Sequence, residues 1–126
     1  MNKLELKGTK YTPEIIMDAD SGVITITGKS YPENTFKFYQ PVSEWLENYL
    51  ENTTNDKTIV NLDLPYFNSS SSKFFFDFLD LLDDAKESDK IEVNWIYHQD
   101  NHSAEEIGQD FIEDFEDLTI NLVMKN

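Results

Sequence analysis

The sequence predicts an α/β sandwich: a mixed β-sheet with helices crowded mainly onto one face. Three observations lead there. Runs that alternate apolar and polar residues are separated by segments with apolar residues at helical spacing, in the order β-β-α-β-α-β-α-β. The second faces of the strands carry Thr25, Thr27, Asn61, Asp63, Glu92, Asn94, Thr119 and Asn121, whereas a sheet covered on both sides would be apolar on both. No linker or internal repeat interrupts the 126 residues, a length that can bury a sizeable core, so 1–126 reads as one domain.

Taken in order, the residues before Tyr11 read as an irregular arm, because Gly8 and Thr9 interrupt the pattern that Leu4 and Leu6 begin. Glu14–Met17 and Val23–Thr27 form a hairpin around a turn-rich segment ending in Gly22, a residue able to take positive φ. Gly28–Asn34 is a loop dense in turn formers. Pro41 suits the first turn of a helix, where its missing N–H is harmless, so a helix is expected over 41–52 on Val42, Trp45, Leu46, Tyr49 and Leu50. Phe36 and Phe38 alternate like a strand and leave 35–40 open. A strand over Thr58–Leu64 runs into a helix from about Ser70 to Glu87, with Phe74, Phe75, Phe78, Leu79, Leu82 and Ala85 on its apolar stripe. Lys90–Tyr97 alternates again. Ser103-Ala104-Glu105-Glu106 is a capping-box signature for a third helix bearing Ile107, Phe111, Ile112 and Phe115, and Leu118–Met124 is the last strand.

The 25 acidic residues outweigh 10 basic ones, all lysines, for a formal charge of −15. Such a chain is repelled by phosphate backbones and anionic lipid, and it lacks the guanidinium forks that read guanine edges, so neither nucleic acid nor membrane is an expected partner. The absence of cysteine removes disulfides, thiolate catalysis and cysteine-ligated metals. The amino terminus has no apolar run of signal-peptide length, and nowhere do about 18 apolar residues run together. A cytoplasmic protein without a cofactor is the expectation.

Enzyme chemistry finds little support. Ser69 or Ser70 with His98 and Asp100 would make a Ser-His-Asp set, but no Gly-x-Ser-x-Gly elbow is present. His98 and His102, near Asp100, Glu105 and Glu106, offer groups for a metal-dependent hydrolase, yet their spacing matches no metal motif and a solvated turn before a capped helix accounts for them. Phe76 falls on the acidic side of its helix with Asp80, Asp83 and Glu87. An exposed aromatic among carboxylates would serve an unregulated protein-binding adaptor; a covering loop would explain it equally well.

The junction Asn61–Lys73 stands out, because an alternating strand breaks into Asn68-Ser69-Ser70-Ser71-Ser72 and then into the phenylalanine-rich helix. Serines at a helix start cap free N–H groups. They are also acceptors for phosphate, whose charge of roughly −1.5 to −2 a helix N-terminus and Lys73 tolerate but a docked partner does not.

Two blocks, Ser30-Tyr31-Pro32-Glu33-Asn34 and Tyr66-Phe67-Asn68-Ser69-Ser70-Ser71-Ser72-Lys73, together with Phe78-Leu79-Asp80-Leu81-Leu82, resemble the SiaC family of bacterial regulatory phosphoproteins over nearly the whole chain. The resemblance implies a STAS-like fold and a non-enzymatic partner-switching role. A dedicated kinase adds a phosphate, a metal-dependent PPM-type phosphatase removes it, and the unphosphorylated form regulates a signalling enzyme, a diguanylate cyclase in the resembled system. The acceptor hydroxyl follows the asparagine of the second block, which corresponds to Ser69; a family member carries threonine there, and Ser70 and Ser71 are the alternatives. The expected partner surface comprises Tyr31, Asn34, Tyr66, Asn68, Ser70, Lys73 and Phe76.

Overall fold

The computed structural model describes residues 3–126. Six strands, β1 (Lys3–Leu6), β2 (Glu14–Asp18), β3 (Val23–Thr27), β4 (Thr58–Asp63), β5 (Ile91–His98) and β6 (Thr119–Lys125), form one sheet in sequential order. The first two pairings are antiparallel and the last three parallel. Helices α1 (Thr35–Asn52), α2 (Ser69–Asp83) and α3 (His102–Asp114) provide the parallel crossovers. Each crossover steps one strand in the same direction, and right-handed connections then bring all three helices to one face.

Register carries this arrangement into the core. Leu6, Ile15, Ile26, Leu62, Trp95 and Leu122 make one lateral row under the helices, and Leu4, Met17, Ile24, Val60, Val93 and Ile120 make the next. On the opposite face the equivalent row is Glu5, Ile16, Thr25, Asn61, Asn94 and Asn121. There Asn94 Nδ2 donates to Asn61 Oδ1 at 2.9 Å and Asn121 Nδ2 to Asn94 Oδ1 at 3.1 Å, an amide ladder across three parallel strands. Lys57–Glu92 at 2.7 Å and a close Lys125–Asp63 pair flank it. The polar second face read from the strands is therefore the face without helices.

Several boundaries differ from the sequence expectation. Lys3–Leu6 is a strand, not part of an irregular arm, because pairing with β2 satisfies its backbone and places Leu4 and Leu6 beside Met17 and Ile15; Met1 and Asn2 lie outside the described residues. The first helix starts at Thr35, capped by Asn34, so Pro41 is interior. The Lys37 carbonyl that loses its helical donor belongs to an exposed residue, where solvent is able to take the bond. α2 ends at Asp83 instead of reaching Glu87; Asp83 and Asp84 bring negative charge to the negative end of the helix dipole, and a short 3₁₀ turn, Ser88–Lys90, follows. α3 is capped by Asn101, not by Ser103, with Asn101 Oδ1 accepting from Ala104 N at 3.1 Å.

α3 lies flat on the sheet at Gly108. A Cβ there would fall 2.5 Å from Trp95 Cδ1 and 2.6 Å from Leu122 Cδ2. Trp95 is held in turn by Nε1–H donation to the Ala104 carbonyl at 2.8 Å. Gly108→Ala should therefore destabilise the protein by about 1–3 kcal/mol in urea denaturation, despite the better helix propensity of alanine.

Candidate functional site

Because α1 and α2 follow adjacent parallel strands, both begin at the same end of the sheet, and their first turns meet. Thr35, the first residue of α1, shares a hydrogen bond with Ser70 of α2, Oγ1 to Oγ at 2.7 Å. Each helix has an asparagine cap. Asn34 Oδ1 accepts from Lys37 N at 3.0 Å, and Asn68 Oδ1 accepts from Ser71 N at 2.9 Å and from Ser70 Oγ at 3.2 Å. The positive ends of two helix dipoles thus converge on one patch that favours negative charge.

Ser30 joins the two sequence blocks. Its N–H donates to the Tyr66 carbonyl at 2.9 Å and its carbonyl accepts from Asn68 N at 3.0 Å, a single parallel bridge opposite Phe67. Its hydroxyl lies 2.8 Å from Ser71 Oγ and 2.5 Å from Tyr39 Oη, so three hydroxyls from a loop, α1 and α2 form a chain. Ser30, Ser71 and Tyr39 are all buried. Burial disfavours the charged phenolate and pushes the Tyr39 phenol up to about 12, against the opposing effect of the Ser30 bond. Tyr39 also stacks on Phe74, with centroids 3.8 Å apart.

The four serines consequently have different surroundings. Ser71 is buried and bonded, so its hydroxyl is closed to a kinase in this conformation. Ser70 is exposed but engaged by Thr35 and Asn68. Ser69 is exposed in the first turn of α2 and Ser72 is half-buried, and none of the side-chain hydrogen bonds among the described residues involves either hydroxyl. Lys73, one helical turn on, is exposed and 3.4 Å from Asp77.

Two further surfaces flank the serines. A groove of about 640 Å³ opens between α1 and α2, walled by Thr35, Phe36, Tyr39, Phe74, Ser70 and Lys73 among others. Phe36 stands 79% exposed at its rim. On the other side Tyr31 packs edge-on against Tyr11 at 5.3 Å and Tyr66 at 5.7 Å, leaving Tyr11 and Tyr66 about half exposed. Asn101 Nδ2 donates to the Pro65 carbonyl at 3.0 Å and braces the chain before Tyr66.

Of the residues named from sequence, Tyr31, Asn34, Tyr66, Asn68, Ser69, Ser70 and Lys73 are gathered at this end of the sheet. Phe76 is apart from them. It is 42% exposed, with its ring 5.0 Å from Phe115, beside an acidic group in which burial and the neighbouring Asp117, Asp84 and Asp80 carboxylates raise Asp83. His98 pairs with Asp100 at 3.8 Å and His102 with Glu105 at 4.0 Å, and no group of three or more potential ligands comes together among the described residues. Sequence reasoning passed over Ser30, Thr35, Phe36 and Tyr39. Asn34 as a helix cap is the signal that would have moved the start of α1 to Thr35 and brought Thr35 and Phe36 to the site.

The class is that of a small α/β sandwich with an exposed serine at a capped helix start, framed by aromatic surfaces. The chain belongs to the SiaC family of regulatory phosphoproteins, whose model matches residues 6–125. A protein of Pseudomonas aeruginosa strain UCBPP-PA14 is 34% identical over 115 residues, 90% of each chain. A crystal structure of apo-SiaC from Pseudomonas aeruginosa superposes with a TM-score of 0.81 at 31% identity, covering all of both chains. SiaC in its complex with the diguanylate cyclase SiaD, which it activates, superposes at 0.89 with 31% identity, covering 97% of this chain and 99% of that one.

Replacing Tyr39 by Phe removes one end of the buried hydroxyl chain and should cost about 1 kcal/mol near neutral pH. The sign of the pH effect follows from the raised phenol: its contribution is complete below the ordinary value of 10.0 and is lost as pH rises through about 12. Urea titrations of wild type should lose stability over that window more steeply than those of Tyr39→Phe.

Proposed function

We propose that this protein is a non-enzymatic partner switch in which Ser69 is the phosphoacceptor and the convergent starts of α1 and α2 are the docking surface. The observation that carries the reading is the contrast within the serine cluster: Ser69 is exposed and unengaged, Ser70 is tied to Thr35 and Asn68, Ser71 is buried, and Ser72, though unengaged, is half-buried. A phosphate on Ser69 adds negative charge where two helix N-termini and Lys73 accommodate it, so the fold tolerates the modification. The same charge sits beside Ser70 and the groove that Phe36 and Phe74 wall. An apolar or acidic partner surface seated there would be expelled, and no large movement of this chain is required.

The partners this implies are a cognate protein kinase, a PPM-type metal-dependent phosphatase and a diguanylate cyclase bound by the unphosphorylated form, as SiaC binds SiaD. The site needs no cofactor of its own, and a cytoplasmic location suits all three partners. Among the described residues no helix is long and apolar enough to cross a membrane.

Phosphate-site mass spectrometry after incubation with the cognate kinase tests the acceptor. Phosphate should map to Ser69 and vanish in Ser69→Ala; undiminished incorporation in that variant would transfer the role to another residue. Docking is tested separately with unphosphorylated protein and the cyclase. Phe36→Ala should weaken capture by about 2 kcal/mol, roughly thirtyfold in Kd, as expected for an aromatic anchor, while thermal stability is preserved because the ring is already exposed. Loss of capture in Phe76→Ala with none in Phe36→Ala would favour the adaptor surface on the acidic side of α2.

A further inference from the structure

We propose that the outer edge of β6 is a second docking surface, which takes an extended, lysine- or arginine-bearing segment of a partner protein as a seventh strand. Sequential strand order leaves two edges, β1 and β6. The β1 edge is guarded in the usual way: it is four residues long, and its Lys3 and Glu5 are charged and exposed. The β6 edge spans seven residues, Thr-Ile-Asn-Leu-Val-Met-Lys, with one charge, at its end.

That lysine does not guard the edge. Lys125 Nζ reaches back across β5 to Asp63 on β4, so its charge lies over the sheet face. The Lys125 carbonyl accepts from Gln99 N at 2.9 Å, which sets the parity of the strand: Thr119, Asn121, Val123 and Lys125 turn their backbone groups toward β5. Ile120, Leu122 and Met124 therefore direct three N–H and three C=O groups outward. Their side chains lie on the helix-covered face but are only partly covered. Val93 and Trp95 in β5 are buried, whereas Ile120 and Leu122 are half-buried and Met124 is 60% exposed. An added strand would satisfy the free backbone groups and cover this apolar strip at once.

Charge selects the occupant. Glu116 and Asp117 lie one residue before the strand, separated from it by Leu118, and the exposed side of α3 carries Glu106, Asp110, Glu113 and Asp114. A second copy brings its own charge of −15 to this rim, whereas a basic strand is attracted to it.

The test uses the full chain and a fluorescein-labelled peptide of about nine residues with alternating lysine and valine, enough to span the edge. A lysine–proline peptide of equal charge that cannot form the ladder is the control. Saturable binding of the valine peptide alone, falling with added salt, is the expected anisotropy result. Met124→Pro removes an outward N–H and should weaken binding at least about tenfold without loss of thermal stability. Met124→Lys, which repels a basic strand and keeps the backbone intact, should weaken it likewise. Equal binding of both peptides, or unchanged affinity in Met124→Lys, would overturn the proposal. So would concentration-dependent doubling of the 14.7 kDa mass in sedimentation that Met124→Pro abolishes, since that would make the occupant a second copy.

Discussion

Three crossovers that step one strand at a time in the same direction govern the rest of this structure. Right-handedness then places every helix on one face, and antiparallel packing against the strands starts every helix at the same end of the sheet. Three consequences follow from that constraint. The opposite face is free to be polar and is tied together by the Asn61–Asn94–Asn121 ladder. The first turns of α1 and α2 are neighbours, so Thr35 meets Ser70. Among the described residues the sheet stays open, so β6 lies at an edge.

The Ser30 loop converts adjacency into a defined site. Its backbone clamps the chain between β4 and α2, and its hydroxyl bridges Tyr39 and Ser71. Each polar group in that small buried set has a partner, a condition under which a buried hydrogen-bond network adds specificity instead of cost. The set also sorts the serines. It buries Ser71, while Thr35 engages Ser70; of the two serines without a side-chain hydrogen bond among the described residues, Ser69 is exposed and Ser72 half-buried. The two blocks that identify the family are thus two halves of one contact, 41 positions apart in the chain.

Much of this was legible in the sequence. Alternation located β4, β5 and β6, because half-buried strands of a sheet covered on one face must alternate, and β-rich runs around a turn ending in Gly22 located β2 and β3. The polar second face and the helix face holding Phe75, Phe78, Leu79 and Leu82 followed from the same periodicities. The failures have physical causes as well. β1 depends on β2 for its backbone partners, so four residues followed by Gly8 carry little local signal. Pro41 reads as a helix start, yet an exposed turn tolerates an interior proline when water takes the orphaned carbonyl. Asn101 outcompeted Ser103 as a cap, and its amide gains a second bond to the Pro65 carbonyl that no local pattern encodes.

By itself the sequence determined the fold class, the family and the stretch around Asn68–Lys73 where function concentrates, since periodicity, capping residues and short motifs are local properties of the chain. Only the tertiary structure decided which hydroxyl of the cluster is available, which aromatics face outward and which strand edge remains open. Those depend on contacts between residues distant in sequence: Ser30 with Ser71, Thr35 with Ser70, Lys125 with Asp63. Four serines are chemically identical as letters. They differ because Ser30 buries and bonds Ser71, Thr35 engages the exposed Ser70, Ser72 is half-buried, and Ser69 is left exposed and unengaged.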